Sequence, residues 1–274
     1  VPDAAAVAAA APSGSETSGT SGAADGAIAV EWLGLQRYAD ALALQRQAVA
    51  DRIAGRRGDR LLLVEHPPVV TLGRSTQPAH LKVGPAELQA RGIELFEVAR
   101  GGDVTYHAPG QLVGYPILDL DASGRRDVHA HLRNLELGLI EALEELGLPA
   151  CRQPGWTGVF VDCGGPASPH PLGSTSASAS AARRNRKIAS IGVGLRRWVT
   201  FHGFALNVSI DLSGFELIVP CGLAEVEMTS VCAELARRSE AVASERAAEA
   251  AGSGGIDARV REIVARRLAA RLVG

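Results

Sequence analysis

Lysine is almost missing from this chain. Of 28 basic residues among 274, only Lys82 and Lys187 are lysines; the other 26 are arginines. Arginine stays protonated in proteins, so proton exchange by a cationic side chain falls to two positions. Lys187 stands at the end of the run RRNRK (183–187). Composition makes it unusual without giving it a role. Long apolar runs are also lacking: no stretch of 18 apolar residues occurs, which excludes a membrane-spanning helix. Cysteine is sparse. Cys151, Cys163, Cys221 and Cys232 show no CxxC spacing, which argues against a disulfide scaffold and predicts free thiols in an intracellular, cytoplasmic protein. The close pair His129 and His131 lies in a helical pattern with no cysteine nearby, so no metal site is expected. No charge of one sign dominates. The net charge of −2 points to neither a nucleic-acid partner nor a membrane surface. The alanine-rich N-terminus carries no basic flank of a signal peptide.

What is present is a 46% apolar chain with three low-complexity tracts. Residues 1–27 are Ala, Gly, Ser and Thr, too poor in apolar groups to offset ordering entropy, and are expected to be a disordered tail. Residues 164–186 interrupt two strand-like segments and read as a low-complexity insertion. Residues 241–255 read as a linker before a last helix at 256–274 that packs on the domain. Between them lies a body at 28–240. Strand patterns fall at 27–33, 61–64, 69–72, 93–98, 111–118, 188–195 and 204–210, the last two pairing through a turn near His202-Gly203. Helical spacing marks 38–53 and, most clearly, 127–146, where Leu132, Leu135, Leu139, Leu143 and Leu146 share a face and Gly147 stops the helix. Strands cluster with few helices between them, which predicts mixed α and β with an antiparallel or mixed sheet.

Three segments could carry chemistry. RGGDVTYHAPGQ (100–111) follows a strand with two glycines that let backbone amides approach a ligand, then offers Thr105, Tyr106 and His107. It suits an acyl or phosphate-bearing group, or equally a hairpin whose Gly and Pro only serve turns. KIASIG (187–192), continuing into FHGFALN (201–207), puts Lys187 at a strand start, where a lysine is commonly a surface charge. In VPCGL (219–223), Pro220 and Gly222 place Cys221 on a turn, where a thiol can be presented. A free cysteine is most often a small buried hydrophobe. A neighbouring ammonium lowers a thiol pKa, so a Cys–Lys contact would make a nucleophile and base.

Taken together these segments resemble the lipoyl(octanoyl) transferase family. The family's RGGxxTYHxPGQ is matched at 100–111 with Ala108 in place of Gly, KIxxxG at 187–192, HGxALN at 202–207 and PCG at 220–222; LVEHPPVVTLG (63–73) resembles its early strand and loop. The resemblance covers about residues 28–231, and five segments stand in family order. It implies an α+β fold resembling the catalytic domain of biotin and lipoate protein ligases: a mixed, largely antiparallel sheet with packed helices and a smaller second sheet. It implies transfer of an octanoyl group from octanoyl-acyl carrier protein to a lysine of a lipoyl domain, in 2-oxo-acid dehydrogenase complexes or the glycine-cleavage carrier protein. Cys221 would carry the acyl thioester and Lys187 would hold the thiolate and take the acceptor's proton. Arg100, Gly101, Gly102, Asp103, Val104, Thr105, Tyr106 and His107, with Ser190, Ile191, Gly192, Gly203, Phe204 and Ala205, would bind substrate, while His107 and His202 receive no secure chemical role. No cofactor is implied. Alternatives are an ATP-dependent ligase of the same fold and a non-catalytic acyl-carrier binder. Arg183, Arg184 and Arg186 could steer an acidic carrier or be a solvated loop end.

Overall fold

A computed structural model describes residues 27–161, 186–222, 226–243 and 253–273, with the side chains of 221, 240–243 and 253–254 left aside. The proposals for tracts 1–27 and 164–186 fall almost wholly outside these residues, as does much of 241–255. In chain order the elements are β1 (Ala29–Leu35), α1 (Tyr38–Ile53), β2 (Arg60–Glu65), β3 (Val69–Leu72), α2 (Pro85–Ala90), β4 (Glu94–Glu97), β5 (Thr105–His107) and β6 (Gln111–Ile117). There follow α3 (Val128–Glu145), β7 (Ala150–Cys151), β8 (Val159–Val161), β9 (Arg186–Arg196), β10 (Val199–Asn207), β11 (Glu227–Met228), α4 (Val231–Ala243) and α5 (Ser253–Val273). Short 3₁₀ turns occupy Pro78–His80, Leu212–Leu217 and Pro220–Gly222.

Among the described residues the main sheet runs β1-β2-β6-β10-β9-β8-β7, with β11 added beside β9. Its pairings are antiparallel except β1 with β2 and β11 with β9. A second sheet of three strands has the order β4-β3-β5. This is the mixed, mostly antiparallel architecture with a smaller second sheet that the family resemblance implies, the residue patterns alone giving mixed α and β.

The apolar run of β2 explains the layering. Successive strand side chains point to opposite faces. Leu61 and Leu63 join a core with Leu135, Leu139 and Leu143 of α3 and Val260, Val264 and Leu268 of α5. Leu62 and Val64 face the other way, onto Ala41, Ala48 and Val49 of α1. A strand with helices on both faces has no polar side to show, hence LLLV without alternation. Helix α3 begins where Asp127 accepts from the Ala130 amide at 3.0 Å and ends at Gly147, whose φ is +77°. A third core, holding Val70, Leu88, Val104, Tyr106 and Phe215, fills the space under the small sheet.

Two expectations fail. Strands β9 and β10 do pair, but their turn lies at Arg197-Trp198, with φ of +49° and +63°, not at His202-Gly203. A two-residue hairpin turn of this kind needs positive φ at both positions, and Arg-Trp carries none of the usual Asn-Gly signal. His202, also at positive φ (+53°), lies inside β10 and pairs with Val193. The thiols are not all free either. Cys151 is in a disulfide, while Cys232 is free. The β7–β8 pairing sets Cys151 opposite Phe160.

Candidate active site

A cleft lies between the Arg100–His107 segment and strands β6, β9 and β10. Arg100, Gly102, Asp103, Thr105 and His107 line one side. Ser190, Ile191 and Gly192 of β9, with Gly203, Phe204 and Ala205 of β10, line the other. The Gly101 amide donates to the Val193 carbonyl at 2.8 Å, joining the glycine loop to β9. Arg100 is buried, and its Nη2 donates to the carbonyl and hydroxyl of Thr71 at 2.8 and 3.0 Å. Strand alternation divides the remaining expected residues. Thr105 and His107 face the cleft, whereas Val104 and Tyr106 turn into the third core, Tyr106 edge-on to Phe215.

The histidines of the motifs are buried and neutral. Burial, then the neighbouring His66, pushes His107 down to about 3, against the opposing bond to Gln111. Burial and the Arg100 charge bring His202 down to about 4. Burial also lowers His66. Neutral imidazoles have one donor and one acceptor nitrogen, and backbone carbonyls fix which. The Thr229 carbonyl accepts from Asn207 Nδ2 at 2.8 Å, so Asn207 Oδ1 accepts from Gln111 Nε2 at 2.8 Å. Gln111 Nε2 also donates to the Tyr106 carbonyl at 3.3 Å. Gln111 Oε1 then accepts from His107 Nδ1 at 2.7 Å, leaving His107 Nε2 an acceptor. By the same logic His66 Nδ1 donates to the Gln36 carbonyl at 2.8 Å, and Tyr115 Oη donates to His66 Nε2 at 2.7 Å. The motif residues Gln111 and Asn207 thus hold the site together and set the tautomer of its histidine.

Lys187 is not a surface charge; it is 1% exposed. Its Nζ donates to the Thr157 carbonyl at 3.0 Å and sits 5.6 Å from the Phe160 ring centre. The side chain passes Gly158 so closely that a Cβ there would lie 2.7 Å from Cε. Gly158 has a φ of +128°, and its amide donates to the buried Glu136 at 3.0 Å. On the other edge of β9, β11 pairs Met228 with Lys187. Cys221 lies in the 3₁₀ turn Pro220–Gly222, six residues before Glu227, so one short segment runs from its turn to the strand beside Lys187. The Cys221 side chain is outside the described residues.

Arg186 pairs with Glu234 at 2.8 Å, and Glu234 is buried. That arginine braces β9 to α4; Arg183 and Arg184 are outside the described residues. Tyr38 and Tyr115 also line the cleft and were not singled out in the sequence. Tyr115 could have been found by continuing the period of two from Gln111 along β6; Tyr38 has no local signal. His202 was named without a role, and it too lines the cleft.

The family model of the lipoyl protein ligase A/B catalytic domain matches residues 37–251. An octanoyltransferase of Solibacter usitatus is 49% identical over 201 residues, covering 73% of this chain and 80% of that protein. One of Myxococcus xanthus is 45% identical over 210 residues, covering 77% of this chain but only 54% of its relative's length. Among solved structures, a lipoate protein ligase from Thermoplasma acidophilum aligns over 90% of this chain and 84% of its own, with a TM-score of 0.53 at 18% identity. Lipoate-protein ligase A solved with ATP aligns over 90% and 85%, with a TM-score of 0.54 at 18% identity. At that identity the structural likeness concerns the fold, while the sequence relatives are named octanoyltransferases. On the family-model match and these relatives, the chain belongs to the lipoyl(octanoyl) transferase family, within the lipoyl protein ligase A/B catalytic domains.

Proposed function

We propose that the chain transfers an octanoyl group from octanoyl-acyl carrier protein to the acceptor lysine of a lipoyl domain. The acceptors are lipoyl domains of 2-oxo-acid dehydrogenase complexes and the glycine-cleavage carrier protein. The observation that carries the reading is the enclosed Lys187, paired with Met228 of β11 and set on the strand whose Ser190, Ile191 and Gly192 line a cleft also walled by Phe204.

Cys221 attacks the carrier thioester, its sulfur bonding the acyl carbon as the carrier's carbon–sulfur bond breaks. The acceptor amine then displaces Cys221 and forms the amide. One thioester replaces another in the first step, and amide formation drives the second, so ATP is not required. Lys187 stabilises the Cys221 thiolate and takes the proton of the incoming amine. Gly102 and Asp103, with Ser190–Gly192 and Gly203–Ala205, line the region where oxyanion charge develops.

Incubation with octanoyl-acyl carrier protein should add one octanoyl mass to the enzyme, and Cys221→Ala should abolish both that adduct and transfer without ATP. A Cys221→Ala enzyme that still octanoylates a lipoyl domain would overturn the mechanism. Dependence on ATP with free octanoate would instead mark a ligase.

A further inference from the structure

Helix α3 carries a carboxylate where its spacing calls for an apolar residue. Glu136 follows Leu132 by four positions and precedes Leu139 by three, so it stands in the leucine stripe. It is 0% exposed. A carboxylate buried there is costly unless it is bonded. Arg133, one turn back and exposed, donates to Oε2 through Nη1. Oε1 accepts from the Gly158 amide at 3.0 Å.

That amide belongs to the same peptide unit as the Thr157 carbonyl, which accepts from Lys187 Nζ at 3.0 Å. One planar, conjugated group therefore lies between a carboxylate and an ammonium, with its N–H on the first and its C=O on the second. Charge at one end strengthens the bond at the other. Two hydrogen bonds and the width of a peptide put the carboxylate within about 8 Å of Nζ. Gly158 is fitted to the same arrangement. A Cβ there would lie 2.5 Å from the Ala189 carbonyl oxygen and 2.7 Å from Lys187 Cε. Charged groups on the adjoining elements pair with one another: Arg186 of β9 with Glu234 of α4, and Glu227 of β11 with Arg237. Strand β8, Val159–Val161, carries no charge.

We infer that Glu136 is a positioning residue for Lys187, acting through the Thr157–Gly158 peptide bond. Its charge strengthens the hold of Nζ on a proton, and the peptide fixes where Nζ stands. Its part in the reaction rests on the octanoyl transfer proposed above; its effect on the lysine does not.

The scarcity of lysine gives a direct test. Protein labelled with carbon-13 at lysine Cε shows two resonances, Lys82 and Lys187, which Lys82→Arg assigns. Followed from about pH 7 to 11, the Lys187 signal should reach its midpoint at lower pH in Glu136→Gln. Its proton affinity should be about tenfold weaker, because loss of a nearby negative charge disfavours the ammonium. Glutamine keeps the shape and the acceptor for Gly158, so the change reports charge. Arg133→Gln, at an exposed position, should move the midpoint up. Lys82 should stay in place in both variants. With octanoyl-acyl carrier protein and a lipoyl domain, Glu136→Gln should lower kcat about tenfold and leave the KM for the lipoyl domain unchanged. A Lys187 midpoint that keeps the parent value in Glu136→Gln overturns the inference, as does movement in the same direction in both variants. If the parent transfers no octanoyl group, the proposed reaction falls, while the titration still decides the link from Glu136 to Lys187.

Discussion

At the scale of single residues, Lys187 shows what a sequence reveals and what it hides. Lys187 stands out because it is one of two lysines and opens a family motif. Its burial was not legible, since the enclosure comes from Thr157, Gly158 and Phe160 across a strand pairing. A guanidinium would have to fit in a passage so narrow that a Cβ on Gly158 would lie 2.7 Å from Cε, and it exchanges no proton at neutral pH. Lys187→Arg is therefore expected to lower octanoyl transfer to a lipoyl domain by about 10²-fold or more, with Cys221 acylation less affected. Rapid-quench assays of the two half-reactions would separate the effects, and parent-like transfer would remove the base role.

At the scale of elements, periodicity carried most of the information. Helix α1 occupies the residues its spacing predicts, and α3 differs only at its ends, because three or four apolar positions per two turns are a strong signal. The β9–β10 hairpin was legible as two strands but not as a turn, since Arg197 and Trp198 adopt a conformation their side chains disfavour. Trp198 is held by the core and by Arg126, 5.5 Å from its ring centre. Arg197 is exposed, and no such packing compensates it among the described contacts. Arg197→Asn should stabilise the hairpin by on the order of 0.5–1 kcal/mol, because Asn tolerates positive φ. A urea midpoint that stays put or falls would show that the turn stores no strain.

At the scale of the whole molecule, buried imidazoles make folding sensitive to acid. His107 is pushed down to about 3, and His202 and His131 to about 4, burial being the leading cause for each. Unfolded histidines titrate near 6.5, so between about 4 and 6.5 the unfolded chain binds more protons than the folded one. Their contribution to stability is complete above about 6.5 and declines as the pH falls toward 4. Urea midpoints measured from pH 7.5 to 4.5 should drop, and His131→Gln should flatten part of that slope without involving the cleft. A midpoint independent of pH in this window would mean that these imidazoles are hydrated and charged in the fold. None of this was legible in the sequence, where seven histidines look alike until packing decides which of them meet water.

The hydrogen-bonded line from Thr229 through Asn207 and Gln111 to His107 has a use in the laboratory. Because two backbone carbonyls dictate its direction, His107 should show a single nitrogen-15 spectrum: one protonated ring nitrogen and one bare one, with no tautomeric averaging. An acyl chain entering the cleft, or a donor reaching the bare nitrogen, would move that resonance directly. The enzyme therefore carries a built-in magnetic label, able to report occupancy of the cleft before any bond is made.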